Sequence, residues 1–269
     1  MISVVIPMYN SEATILDAID SVLKQSRFDL IDEIIVVNDG STDNSAKIVC
    51  DFKSNLPNNK IVLISKKNGG VSSARNIGIK KAKSKWIALL DADDVWKTEK
   101  IEIQMNILYK YQEIKFLGTN RNDEFVKIGT IINQNDQLRR INVKQMLIKV
   151  WPSVPTAIID GKYLLNICGF DENMKFGEDA NLWLKIALDN QLYYIENSLV
   201  DTGHGKNSFG ETGLSSNLKQ MHKGVNLNIK KAYQLKEINI LEMVLFMIYE
   251  KIKYFRRIIL TIWRKKNGD

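Results

Sequence analysis

Four short apolar runs, at residues 2–6, 34–37, 61–64 and 86–90, constrain this chain more than any other feature. Each is rich in β-branched or large apolar residues and shows little polar alternation, which reads as a strand buried on both faces. Helical spacing fills the intervals. Ile15, Ala18, Ile19 and Val22 follow the first run, Ile48, Val49 and Phe52 the second, and Ala74 and Gly78, four apart, the third. Strands alternating with helices fold as a mostly parallel sheet with helices on both faces, an α/β, Rossmann-like arrangement. The small pair Ala74 and Gly78 predicts a helix lying close on that sheet.

From about residue 115 the rhythm weakens. Residues 116–118, 156–159 and 193–195 read as further strands, and 143–150 and the segment holding Leu182, Ile186 and Leu188 as helices. The Asn- and Gln-rich stretch 120–140 reads as a long variable loop, because no Pro/Gly/Ser-rich break separates two cores. A net charge of +7 with a pI near 9.1 asks for an acidic partner: nucleic acid, anionic lipid or a phosphorylated substrate. Only Cys50 and Cys168 are present, too few for a disulfide framework. The chain opens on a strand-like run with no basic region before it, and has no uncharged run of the roughly 20 residues that span a bilayer. The expected setting is the cytoplasm.

Every one of the four strands ends in residues suited to a ligand, where open α/β sheets bind theirs. The fourth ends in Asp91-Ala92-Asp93-Asp94. If the chain stays extended there, Asp91 and Asp93 leave on one face, two hard oxygen ligands suited to Mg2+ or Mn2+. The plainer alternative is that Asp93 or Asp94 caps a helix opening near 97–100. Pro7, Met8, Tyr9 and Asn10 follow the first strand, where backbone and an aromatic ring can line a base pocket. Asp39, in Asn38-Asp39-Gly40-Ser41-Thr42-Asp43, can accept a base N–H, although this is also turn sequence and Asp43 can cap a helix. Asn68, Gly69 and Gly70 permit close backbone approach, and Arg75 can meet base or phosphate or lie on a solvated face. Neither G-x-G-x-x-G nor G-x-x-x-x-G-K-[ST] occurs, so phosphate must be neutralised mainly by a metal.

The order and spacing of Val4-Val5-Ile6-Pro7-Met8-Tyr9-Asn10, Val37-Asn38-Asp39-Gly40-Ser41-Thr42-Asp43, Asn68-Gly69-Gly70 with Ala74-Arg75-Asn76, and Leu90-Asp91-Ala92-Asp93-Asp94 resemble family 2 glycosyltransferases. The resemblance implies the family's GT-A type fold, a nucleotide-diphosphate-sugar donor with UDP favoured, and inversion at the anomeric carbon. It makes 1–115 the nucleotide-sugar-binding half and 116–200 the acceptor-binding half of one domain. It also implies that Asp91, Ala92 and Asp93 form the metal-diphosphate element and that Asp39 reads uracil. Gly177-Glu178-Asp179-Ala180-Asn181-Leu182-Trp183 resembles the family's acidic pair on the acceptor side. Displacing a diphosphate by a sugar hydroxyl needs a base, and Asp179 is the candidate, with Glu178 orienting it or the acceptor. The alternative is an acidic first turn that merely satisfies the helix dipole. His204 is a candidate third metal ligand, in a region 201–240 read as flap and loop, where 210–216 and Lys206 would close over the donor. Lys185 stands where many relatives carry Arg, and 120–140 matches no family feature; both bear on acceptor choice.

The last stretch, 241–269, reads as an amphipathic basic helix. Leu241, Val244, Leu245, Ile248, Ile252, Phe255, Ile259, Ile262 and Trp263 recur at helical spacing, with Arg256, Arg257, Arg264, Lys265 and Lys266 largely away from them. Such a helix suits an anionic membrane interface, here the inner face of the cell membrane, or docking on its own domain or in a homodimer. The expected enzyme transfers a sugar from a UDP-sugar to a glycan acceptor, lipid-linked, in bacterial surface polysaccharide synthesis, with no nucleic acid partner. Two rivals stand beside it. A sugar-nucleotide pyrophosphorylase would carry a basic, glycine-rich loop after the first strand, and 7–11 has neither feature. A non-catalytic sugar- or nucleotide-binding module would not need Asp91, Asp93 and Asp179.

Overall fold

Strand β1 (Ile2–Met8) is buried along its whole length and the rest of the chain is laid out around it. The computed structural model describes residues 1–56, 60–203 and 216–267, the side chains at 265–267 excepted. After β1 come α1 (Ile15–Leu23), β2 (Ile31–Asn38), α2 (Ser45–Ser54), β3 (Ile61–Ser65), α3 (Val71–Lys81) and β4 (Trp86–Leu89). A two-residue strand β5 (Val95–Trp96) leads to α4 (Lys100–Lys110), β6 (Phe116–Asn120), β7 (Thr130–Asn133), β8 (Leu138–Arg140) and α5 (Val143–Ile148). The chain continues through β9 (Ile158–Asp160), α6 (Gly161–Asn166), α7 (Glu178–Leu188), β10 (Tyr193–Ser198) and β11 (Val200–Asp201). It ends in α8 (Leu218–Gln234) and α9 (Ile240–Asn267).

Among the described residues the main sheet has nine strands in the order β3-β2-β1-β4-β9-β6-β10-β8-β7. The first four are parallel, as the alternating pattern requires. β9 runs antiparallel to both its neighbours, and β10 returns parallel to β6. Side chains alternate across the sheet. Ile2, Val4, Ile6 and Met8 join α1, α2 and α4 on one face, while Val5, Ile87 and Leu89 join α3, α5, α6 and α7 on the other. Each Val or Ile fully buried this way contributes about 1.5–3 kcal/mol.

Three readings need correction. The stretch 120–140 is not one long loop: it supplies β7 and β8, a hairpin on the far edge of the sheet. β7 is mostly exposed, so it lacks the apolar run that marks a buried strand. Region 201–240 holds α8, a 17-residue helix that packs Ile229 and Ala232 against the core. The helix expected over 143–150 ends at Ile148.

The expected close approach of α3 to the sheet is present, and its cause is steric. A Cβ at Gly78 would lie 2.3 Å from Val5 Cγ1. Gly78→Ala should therefore destabilise the protein by about 1–3 kcal/mol, the usual cost of overpacking. Val5→Ala in the same chain should recover part of it. Denaturant unfolding measures both, and a neutral Gly78→Ala would refute the packing argument.

Candidate active site

Arg75 is the hub of the site. It lies on α3 with only 5% of its side chain exposed, so it is not on a solvated helix face. Its Nη2 donates to Asp91 Oδ1 at 2.7 Å and its Nη1 to Glu178 Oε1 at 3.3 Å. The guanidinium also stands 5.0 Å from the centre of the Phe170 ring. Burial works against its charge, but Asp91 and Glu178 more than compensate and hold its pKa above the ordinary value. One side chain thus joins the end of β4 to the start of α7, whose Glu178 lies 103 residues beyond Arg75 in the chain.

Asn76 sets this arrangement from the next position. Its Oδ1 accepts from the Phe170 N–H at 3.0 Å and its Nδ2 donates to the Phe170 carbonyl at 2.8 Å, which fixes the ring beside Arg75. The start of α7 is fixed from the other side by α8. Asn228 Nδ2 donates to the Gly177 carbonyl at 2.9 Å and Asn181 Nδ2 to Asn228 Oδ1 at 3.1 Å. A Cβ at Gly224 would fall 2.2 Å from the Phe176 carbonyl oxygen, so α8 meets this loop backbone to backbone. Neither Phe170 nor Gly224 was legible as a site residue; the Ala-Arg-Asn triplet was the one available signal.

The acidic turn does not stay extended. The Asp94 N–H donates to the Asp91 carbonyl at 3.2 Å, closing a turn in which Ala92 is buried and Asp93 exposed. Neither Asp93 nor Asp94 caps the next helix, whose N-cap is Glu99. Asp94 instead accepts from the Gly203 N–H at 2.8 Å, just before residues that lie outside the description. Burial, then the charges of Asp91 and Asp93, push its carboxyl up to about 8 against that hydrogen bond. His204, Lys206 and 210–215 of the expected flap lie outside the described residues.

On the first three strands the expected residues gather at the same sheet end. Asp39 is buried and accepts from the N–H groups of Gly69 and Gly70, at 2.9 and 2.8 Å, and from Lys66. It therefore shapes the loop that carries Asn68. Gly40, at φ 73°, leaves no room for a side chain, since a Cβ would sit 2.8 Å from the Asn68 nitrogen. Asn10 Oδ1 accepts from the Thr42 N–H at 2.9 Å, tying the β1 and β2 loops together. Pro7 is buried in β1, and the Tyr9 ring is half exposed at its end.

Among the described residues no group of three His, Cys, Asp or Glu side chains is placed to hold an ion alone. The turn offers two accessible carboxylates, those of Asp91, partly exposed with one oxygen on Arg75, and of exposed Asp93. That set fits an ion such as Mg2+ or Mn2+, which keeps most of its positions for water and phosphate oxygens.

At the start of α7, burial and then neighbouring Asp179 push Glu178 up to about 7, with Arg75 opposing. Asp179 is also raised by burial, against a 2.7 Å hydrogen bond from the Ala180 N–H. An acid whose folded pKa is raised binds its proton more tightly in the native state. For Glu178, stability therefore falls as pH rises from about 4.5 through about 7. Arg75→Gln should raise the Glu178 midpoint above about 7 and cost about 3–5 kcal/mol at pH 8, as when one partner of a buried pair is removed. The deficit should shrink as pH falls and protons relieve the repulsion. NMR titration of the carboxyl carbons and unfolding at several pH values would reveal this; a pH-independent deficit would contradict it.

With this geometry in hand, the chain can be set beside known proteins. The profile described as "Glycosyl transferase family 2" matches residues 3–159. An uncharacterized glycosyltransferase of Rickettsia conorii is 35% identical over 210 residues, covering 77% of this chain, which spans about a third (34%) of that relative's length. The UDP-Glc:alpha-D-GlcNAc-diphosphoundecaprenol beta-1,3-glucosyltransferase WfgD of Escherichia coli is 31% identical, over 81% of this chain and 80% of its own. The structure of S. aureus TarS 1–349 in complex with UDP-GlcNAc superposes with a TM-score of 0.67 at 20% identity, over 91% of this chain and 70% of that one. That likeness shows the fold, a GT-A type, and the sequence matches show the lineage: the chain belongs to glycosyl transferase family 2.

Proposed function

We propose that the chain is an inverting, metal-dependent glycosyltransferase that moves a sugar from a UDP-sugar to a hydroxyl of a glycan acceptor in bacterial surface polysaccharide synthesis. The observation that carries this is Arg75, which holds Asp91 of the acidic turn and Glu178 of the acidic pair on one guanidinium. A donor at the sheet end and an acceptor at the start of α7 would then meet across it. Asp39, Asn68, Gly69, Tyr9, Asn10 and Pro7 would surround the nucleoside. Asp91 and Asp93 would hold Mn2+ or Mg2+ together with the donor. When bound, such an ion neutralises the diphosphate and makes it a better leaving group.

In the reaction the acceptor oxygen bonds to the anomeric carbon as the bond to the diphosphate breaks, its proton passes to Asp179, and UDP leaves. Burial that raises the Asp179 pKa brings it nearer the operating pH, where a general base works best. Glu178, anchored by Arg75, orients its neighbour. A lipid-linked acceptor is favoured because WfgD, by its name, acts on a sugar joined to diphosphoundecaprenol. The test is UDP release from a panel of UDP-sugars with Mn2+ or Mg2+. Asp179→Asn should lower transfer by about 10² to 10⁴-fold with little change in donor affinity. Full activity in EDTA would remove the metal, and wild-type rates in Asp179→Asn would remove the base.

Helix α9 would hold the enzyme on an anionic membrane. Among the described residues no helix is long and apolar enough to cross one. Met243, Phe246, Met247 and buried Glu250 face the body of the protein, and Tyr254 stacks on His222 of α8 at 4.6 Å. The row Leu241, Leu245, Ile248, Ile252, Ile259 and Trp263 lies on the opposite side, each more than half exposed, with exposed Lys251 and Arg256 beside it. The two faces divide the work: one docks, and the other is left for an apolar partner edged by positive charge. The protein should sediment with anionic vesicles, less as salt rises, and Ile252→Asp/Ile259→Asp should release it without unfolding it. Concentration-dependent dimerisation in place of vesicle binding would assign this face to a second copy.

A further inference from the structure

A second concavity lies beyond the Phe170 wall of the site. It has a volume of about 480 Å3 and is bounded by α3, α6, α7 and α8, with Ile79, Leu165 and Phe170 as its apolar lining. Three cations line it, each from a different helix: Lys80 of α3, Lys185 of α7 and Lys231 of α8. Among the described residues none of the three lies within ion-pair distance of a carboxylate. Two acids, Asp171 and Glu172, line the cavity as well, and each has a hydrogen-bond donor of its own. Glu172 accepts from Asn76 Nδ2 at 2.9 Å, and Asp171 from the Asn173 N–H at 3.0 Å. Lys185 donates to the carbonyls of Ile167 and Gly169, each at 3.0 Å, so its ammonium is fixed in place behind α6. Lysines gathered on one cavity repel one another, and an anion between them removes that cost.

We propose that this cavity binds the phosphate of a phosphate-bearing glycan acceptor, with Lys80 and Lys231 as the contacting cations and Lys185 as a fixed charge behind them. This rests on the reading of Glu178 and Asp179 as the acceptor-side pair. Glu178 and Lys185 lie seven residues apart on one face of α7, about 10 Å along the axis, and Arg75 and Lys80 are five apart on α3. An acceptor hydroxyl at Asp179, with its sugar lying along α7, would direct a phosphate one sugar unit away toward Lys185 and the cavity. Phe170 stands at the boundary, with Arg75 on one side and the cavity on the other, and the acceptor would run past its ring.

Cys168 lines the cavity and Cys50 does not, and both are exposed, which provides a reporter and its control in one chain. With UDP and Mg2+ present to fill the donor site, pyrophosphate should slow maleimide labelling of Cys168 several-fold and leave Cys50 unchanged. Lys80→Ala/Lys231→Ala should abolish that protection, because charge-assisted hydrogen bonds to phosphate are lost. No protection, or protection that survives in the double variant, overturns the site. With a UDP-sugar donor, the double variant should raise KM at least tenfold for the alkyl diester of N-acetylglucosamine 1-phosphate and leave KM for the methyl glycoside unchanged. Protection by pyrophosphate without that difference would mean a free phosphate site and overturn the acceptor assignment. UDP released without acceptor should be equal in both proteins. If wild type releases none from any donor, the glycosyltransferase reading fails, while the labelling result still decides the pocket.

Discussion

A buried guanidinium with carboxylates on two sides is costly to assemble and costly to dismantle, and this protein is arranged around one. Arg75 has left water, and its charge is tolerable only because Asp91 and Glu178 meet it. The reverse also holds: Asp91, Glu178 and Asp179 are acids crowded into one place, and the cation is what allows them to stay there. Everything near it serves to hold these groups in register. Asn76 fixes the loop bearing Phe170, Asn228 fixes the turn before Glu178, and the Gly78 contact seats α3 on β1.

What the sequence made legible follows from where free energy is local. Buried parallel strands write themselves as continuous apolar runs, and the four predicted from 2–90 are all present in parallel order. The Ala74 and Gly78 spacing correctly implied close packing. The β7–β8 hairpin was hidden because β7 is exposed and polar neighbours surround it, so no periodicity sets it apart from a loop. Helix α8 was hidden for a different reason. Much of its pattern is polar, and its fit depends on Gly224 meeting Phe176 and on Asn228 meeting Gly177 and Asn181, contacts that span about fifty residues.

The site residues were legible by kind and less so by partner. Asp91, Glu178, Asp179 and Arg75 stood out as chemistry, yet their mutual contacts depend on α7 reaching α3 in space. The turn at Asp91–Asp94 shows the same limit, since a carboxylate that looked like a helix cap is committed to Gly203. The apolar row of α9 was read correctly as one face. Docking on its own domain stood as an alternative, but the residues that do it were not picked out, because Glu250 and His222, polar residues, help to form that face.

β9 inserts between β4 and β6, so β4, the last main-sheet strand of the first 115 residues, takes its outer neighbour from residues 158–160. A chain cut after residue 115 would leave β4 as a bare, wholly apolar edge, the kind of surface on which strands of other molecules add themselves. The first 115 residues therefore leave one edge of their sheet open. The strand that covers this edge is made later in synthesis, so the two segments complete one sheet together.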